Sequence, residues 1–248
     1  AYIFQNPDKR IIFAIPYEQD FTLIGTTDQE LHGDPRGAKI ADDEIAYLCA
    51  QASRYFTRPV TPADVVWAYA GVRPLLDDAS GDPSAVTRDY LLESNVLAST
   101  AQQAGAAPLL SVWGGKITTF RKLAEDAASD VGRMLGELRQ PWTEGASLPG
   151  GDLSAWIGPP QRPDTDFERF VTELRRRHAW LPASLARRLA RAYGSRVDRV
   201  LGSATALADL GPEIAHGLHE AELRYLQHDE WARSADDVLW RRSKLGLH

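Results

Sequence analysis

The residues with chemistry to offer fall in three short stretches, and the richest is Gly114-Gly115-Lys116-Ile117-Thr118-Thr119. It stands between an apolar, strand-like run, Pro108 to Val112, and a run with helical spacing, Leu123-Ala124 through Val131 and Met134-Leu135. A double glycine at such a junction leaves the backbone bare to a ligand and aims the first N–H groups of the helix at it. Those groups and the helix dipole favour negative charge, and Lys116 adds a full cation in the same place. The chemistry on offer is the binding of an anionic edge. The same residues would also serve as a plain tight turn with Lys116 solvated, a common connector.

The second stretch is Trp67-Ala68-Tyr69-Ala70-Gly71-Val72-Arg73, rich in strand formers and closed by a guanidinium. Arg73 there could bind a phosphate or carboxylate at two points, or pair with Asp77 or Asp78. The third is Gly25-Thr26-Thr27-Asp28, at the end of a strand-like run. Its hydroxyls and carboxylate suit a polar ligand, and suit turn and cap chemistry equally well.

The elements that must position these groups change character along the chain. Tyr2–Phe4, Arg10–Tyr17 and Phe21–Thr26, separated by Asn6-Pro7-Asp8 and Glu18-Gln19-Asp20, predict two hairpins of an antiparallel sheet. Asp42-Asp43-Glu44 starts a helix with Ile45, Leu48, Cys49, Ala52 and Phe56 on one face. Val65–Val72 and Thr87–Leu92 read as further strands, and residues 93–107, small and polar, as a mobile hairpin tip. The helix after Lys116 runs to about Leu138. Pro149-Gly150-Gly151 and Gly158-Pro159-Pro160 mark a linker, after which only helical periods follow, with stops at Gly194, Gly202, Gly211 and Gly246.

Composition narrows the field. At 248 residues with 44% hydrophobic content, the chain can bury one large core or two ordinary ones. A net charge of −6 argues against a nucleic-acid-binding protein. The single cysteine, Cys49, excludes an internal disulfide, fits a reducing compartment and reads as a small core residue. No run reaches the length of about 18 apolar residues that a membrane span needs. The chain opens directly on a strand without an initiator Met, which suggests a piece of a longer protein. Arginines collect late, at Arg175-Arg176-Arg177, Arg187-Arg188, Arg191 and Arg241-Arg242. They read as a solvated helix face or, less readily, as a surface for anionic headgroups. His216 and His219 have one helical metal spacing but fit surface or capping roles better, and no metal site is expected.

Taken together, Ile24-Gly25-Thr26-Thr27-Asp28, Trp67 through Leu75, Thr87-Arg88-Asp89-Tyr90 and Gly114-Gly115-Lys116-Ile117-Thr118-Thr119-Phe120-Arg121 resemble the aerobic, FAD-dependent glycerol-3-phosphate dehydrogenase family. The tail, with Ala190-Arg191-Ala192-Tyr193-Gly194, His219-Glu220-Ala221-Glu222-Leu223 and Ala235 through Arg242, is similar to that family's C-terminal domain. The resemblance implies an α+β fold. Residues 1–140 would form an antiparallel substrate sheet and part of an FAD-binding domain, 141–163 a linker, and 164–248 an all-helical domain.

The resemblance also implies roles. Gly114, Gly115, Lys116, Thr118 and Thr119 would face the flavin, with Lys116 and the corner's amides stabilising negative charge there. Arg73 would hold the substrate phosphate, Lys116 would serve both ligands, Thr27 and Asp28 would line the substrate end, and Arg88 would support the site from behind. Where the family usually has Tyr, this chain has Phe120, so that hydroxyl is absent. The GxGxxG unit and a histidine base of the family lie upstream of Ala1 by the same comparison. The 248 residues by themselves are therefore expected neither to retain FAD nor to turn over substrate. Expected partners are glycerol 3-phosphate and quinone, with no nucleic acid, and a homodimer is left open. The expected location is cytoplasmic, peripheral on the inner face of the cytoplasmic membrane. A glycerol-3-phosphate oxidase that uses oxygen and a non-catalytic membrane- or partner-binding module are the competing readings.

Overall fold

Turns rich in Asn, Asp and Gln separate the opening strands, with Lys9, Glu18 and Gln19 all at positive φ where the chain reverses. A computed structural model describes residues 1–73, 89–95 and 107–248. Strands β1 (Tyr2–Gln5), β2 (Ile11–Tyr17) and β3 (Phe21–Gly25) pair antiparallel in the order β1-β2-β3, as the hairpin pattern predicts. Because side chains alternate, the registers Tyr2↔Ala14, Phe4↔Ile12 and Ala14↔Ile24 put these residues on one face. Helix α1 (Asp42–Ala52) covers it with Leu48 and Ala52, and Tyr55 stacks on Phe4 with centroids 4.1 Å apart. Complete burial of Ile12 here is worth about 1.5–3 kcal/mol. The opposite face, with Ile3, Ile11 and Phe13, is exposed.

A second sheet pairs β4 (Tyr90–Ser94) with β5 (Leu110–Gly114) and leads through a 3-10 turn, Ile117–Thr119, into α2 (Phe120–Leu135). The Tyr90 hydroxyl donates to Asp126 at 2.6 Å and Lys122 pairs with the same carboxylate at 2.7 Å, so the helix is tied to β4. Gly136, at φ 72°, ends α2 in the left-handed conformation that glycine tolerates best. α2 buries none of its residues, and Val131 and Leu135 stay exposed. The stretch Val65–Val72 departs from expectation. It is exposed for the most part and carries no strand. Its composition suits a pleated surface, but a strand exists only when paired. The expected turn at 77–83 and Arg88 lie outside the described residues, as does most of the expected tip at 93–107.

The chain divides into Ala1–Ala146 and Ser147–His248. Residues 147–163, expected as linker, belong to the second unit, which buries Trp156 of α3 (Ser154–Ile157) against Phe170. Its core gathers Phe170, Val171 and Leu174 of α4 (Pro163–Arg177), Leu185 and Leu189 of α5 (Ala183–Tyr193), Val197 and Leu201 of α6 (Val197–Leu201), and Leu226 of α7 (Glu220–His228). Gly150 and Gly194, both at positive φ, cross so tightly that a Cβ on either would overlap the other segment's backbone carbonyl, and Ser195 N–H donates to Gly150 O at 3.0 Å. One expectation needs amending: the unit is not wholly helical. β6 (Glu213–Ala215) and β7 (Leu218–His219) form a short antiparallel ladder, because Gly211-Pro212 stops the helical period and Gly217, at φ 67°, makes a tight turn.

Candidate active site

The strand-to-helix corner opens as its sequence predicts. Gly114 and Gly115 sit at φ 68° and 97°, where a side chain is disfavoured, and a Cβ on Gly115 would press on Leu123 Cδ1 at 3.1 Å and Tyr90 Cβ at 3.3 Å. Lys116 is extended, exposed and caps the 3-10 turn without a side-chain hydrogen bond, so among the described residues the cap side chain accepts from none of the opening N–H groups. Bare backbone, uncapped amides and an exposed ammonium make a donor set that fits the anionic edge of a flavin ring.

The two threonines part company. Thr118 is exposed, whereas the Thr119 hydroxyl donates to Lys116 O at 3.0 Å, so its chemistry goes into the local turn. Behind the corner, the hydrogen bond to Asp126 raises the Tyr90 pKa, and Lys122 chiefly lowers that of Asp126. Glu125 is held low first by the Thr143 hydroxyl at 2.5 Å and then by Arg121. These bonds lock the first two turns of α2, from which Lys116 takes its position.

Arg73 and Asp28 come together: Nη1 of Arg73 lies 2.9 Å from Oδ1 of Asp28. Two residues singled out separately by sequence thus share one place, while Asp77 and Asp78, the partners first considered for Arg73, lie outside the described residues. The Thr27 hydroxyl donates to Glu44 Oε1 at 2.5 Å, and Ala41 N–H donates to Glu44 Oε2 at 2.9 Å. Thr27 therefore joins the end of β3 to the start of α1. Among the described residues, no hydrogen bond or ion pair links Arg73 or Asp28 to Lys116 or the double glycine.

Sequence reasoning passed over Glu44, taken only as a helix start, and Asp126. The i,i+4 spacing of Lys122 and Asp126 was a visible signal. Glu44 was hidden because the residue three before it is Ala41, which lacks the hydroxyl of a capping box.

The late arginines are largely neutralised. Arg176 and Arg177 pair with Glu173, Arg187 with Glu168, Arg188 with Glu222 and Arg241 with Asp237. His216 is exposed and His219 buried, with Nδ1 3.2 Å from Gly211 O; among the described residues no group of three metal-ligating side chains forms. Cys49 is buried, and burial raises its thiol pKa. No helix among the described residues is long and apolar enough to cross a membrane.

Comparison with known proteins follows the same division. Residues 1–121 match the family described as FAD dependent oxidoreductase, and residues 141–248 match the C-terminal domain of alpha-glycerophosphate oxidase. An aerobic glycerol-3-phosphate dehydrogenase of Escherichia coli (strain K12) is 45% identical over 247 residues, covering 100% of this chain and 46% of the relative. A glycerol-3-phosphate dehydrogenase of Pseudomonas aeruginosa is 47% identical, covering 100% and 45%. A D-erythritol 1-phosphate dehydrogenase of Brucella abortus (strain 2308) is 42% identical, covering 100% and 46%. The chain spans about half the length of the curated relatives it matches.

Proposed function

Because the chain belongs to the aerobic, FAD-dependent glycerol-3-phosphate dehydrogenase family, we propose that the whole protein oxidises sn-glycerol 3-phosphate to dihydroxyacetone phosphate and delivers the electrons to quinone. The observation that carries this reading is the pairing of an open double-glycine corner with an exposed Lys116 on an otherwise acidic chain. FAD, when bound, supplies the acceptor for the hydride that leaves the secondary alcohol carbon.

This chain's own residues then have definable work. The amides opening the 3-10 turn, with Lys116, present positive potential to the ring edge on which charge develops, a contribution that grows along the reaction coordinate. Arg73 fixes the substrate phosphate through the guanidinium donors that Asp28 leaves open. A phosphate held at one end keeps the carbinol carbon in place at the other.

A relative named for D-erythritol 1-phosphate supports a wider reading, in which the phosphate anchor is shared and the polyol length is read elsewhere. A second family description names an oxidase, so oxygen is the alternative acceptor. A quinone acceptor would place the whole protein at a membrane surface, the inner face of the cytoplasmic membrane. The arginine run is a poor attractor for it, given how many carboxylates it already meets. The test is steady-state kinetics of the purified, flavin-loaded whole protein on glycerol 3-phosphate and erythritol 1-phosphate, with a quinone analogue or oxygen as acceptor. Higher kcat/KM on glycerol 3-phosphate with the quinone, and little peroxide, is the expected result; dominant peroxide formation would replace the acceptor, and no turnover of either substrate would remove the reading.

A further inference from the structure

Arg73 and Asp28 form an exposed pair, with side chains 47% and 60% accessible. Pairs of that kind contribute about 0–1 kcal/mol, too little to hold a guanidinium in one orientation. Neither residue sits on a regular element: Thr26 to Leu31 and Val65 to Arg73 are irregular. Something else must fix Asp28 if its partner is to meet an anion in a set geometry. The adjacent residue supplies it. Thr27 is half-buried between exposed neighbours, and its hydroxyl donates to Glu44 Oε1 at 2.5 Å. The other oxygen of that carboxylate receives Ala41 N–H at the start of α1.

We infer that Glu44 is a positioning residue for anion binding at Arg73, acting through the Thr27 hydroxyl and the Asp28 carboxylate. The inference rests on the phosphate-binding role proposed for Arg73. Asp28 Oδ1 meets Nη1 at 2.9 Å, and a guanidinium carries five N–H donors, more than one carboxylate can take up, so the half-exposed fork has donors to give a phosphoryl group. Glu44 never touches the ligand. It anchors the loop that aims Asp28, and Asp28 aims the fork.

Charge and geometry can be separated experimentally. In Glu44→Gln the amide oxygen can receive Ala41 N–H while the NH2 donates to Thr27 Oγ1, so both ties survive without the charge. Thr27→Val breaks the tie without altering any charge. Measured on the flavin-loaded whole protein with glycerol 3-phosphate, Glu44→Ala and Thr27→Val should each raise KM roughly tenfold with kcat nearly kept, the size expected for one charge-assisted hydrogen bond. Glu44→Gln should stay close to the parent. In an Arg73→Ala background, Glu44→Ala should add nothing further to KM, whereas a residue that merely supports the fold would add its effect independently.

Unchanged KM in Thr27→Val, an effect of Glu44→Gln equal to that of Glu44→Ala, or additivity with Arg73→Ala would each overturn the inference. Should Glu44→Ala not fold, Thr27→Val carries the test alone. An Arg73→Ala protein with unaltered KM would instead show that the phosphate role itself is misassigned.

Discussion

Arg73 Nη1 stands 2.9 Å from Asp28 Oδ1, joining a residue at the end of an irregular, aromatic-rich segment to one just past the third strand. This contact leaves the Arg73 side chain half-exposed, with more donors in its fork than one carboxylate can take up. Replacing Arg73 with Ala should therefore raise KM for glycerol 3-phosphate by at least tenfold, more than the change in kcat. Initial-rate measurements over a wide substrate range check this, and an unchanged KM would remove Arg73 from phosphate binding.

Lys116 has a different signature. As the exposed cation at the uncapped start of the 3-10 turn, it should stabilise charge that develops during reaction. Lys116→Ala should cut kcat by about a hundredfold, the scale of losing one such electrostatic donor, as well as weakening substrate binding. Rapid-mixing measurement of flavin reduction separates the two effects.

Much of this arrangement could be read in advance, and the failures have physical causes. Alternation and turn residues gave the three-stranded sheet, and the double glycine gave the corner, because both are local properties of the backbone. Val65–Val72 was misread because strand formation depends on a partner that local composition does not reveal. The ladder at Glu213–His219 was misread because Ile214 and Leu218 keep a helical spacing across a glycine turn. Glu44 was missed because its hydrogen bond to Thr27 joins residues seventeen apart, and its cap partner, Ala41, has no polar side chain.

In the helical unit, Arg188 grips both oxygens of Glu222, which is 2% exposed, while the Tyr193 hydroxyl donates to the same carboxylate at 2.7 Å. Burial, with the Glu222 charge beside it, pushes the Tyr193 pKa up strongly. Glu222→Ala would leave the half-buried Arg188 guanidinium without its carboxylate, with Gly217 O still accepting from it, and should cost about 3 kcal/mol. Replacing both partners with apolar residues of similar volume should cost much less. Chemical denaturation followed by circular dichroism distinguishes the two variants.

Gly194→Ala should destabilise the same unit, since the new methyl would overlap the Gly150 carbonyl and the backbone is at φ 54°. A fall in the Tm of the unit's transition is expected, whereas Gly202→Ala, with open space around the new Cβ and the same φ of 54°, should cost less.

Acid should act on Glu173, whose pKa falls to about 2 because Arg176 and then Arg177 donate to it. A depressed folded-state pKa stabilises above the unfolded value and loses that stabilisation as protons bind the folded form. The contribution of Glu173 should thus be complete above about pH 4.5 and fade toward about pH 2. Thermal melts of parent and Glu173→Gln across that range should converge as the pH falls.

The central claim is that Arg73 binds phosphate while the Gly114-Gly115-Lys116 corner meets the flavin. A crystal structure of the flavin-loaded whole protein with glycerol 3-phosphate tests it most directly. It should show a phosphate oxygen within hydrogen-bonding distance of the Arg73 guanidinium, and the isoalloxazine edge against the amides following Gly114. A phosphate held elsewhere with Arg73 turned to solvent, or a flavin remote from the double glycine, would contradict the account.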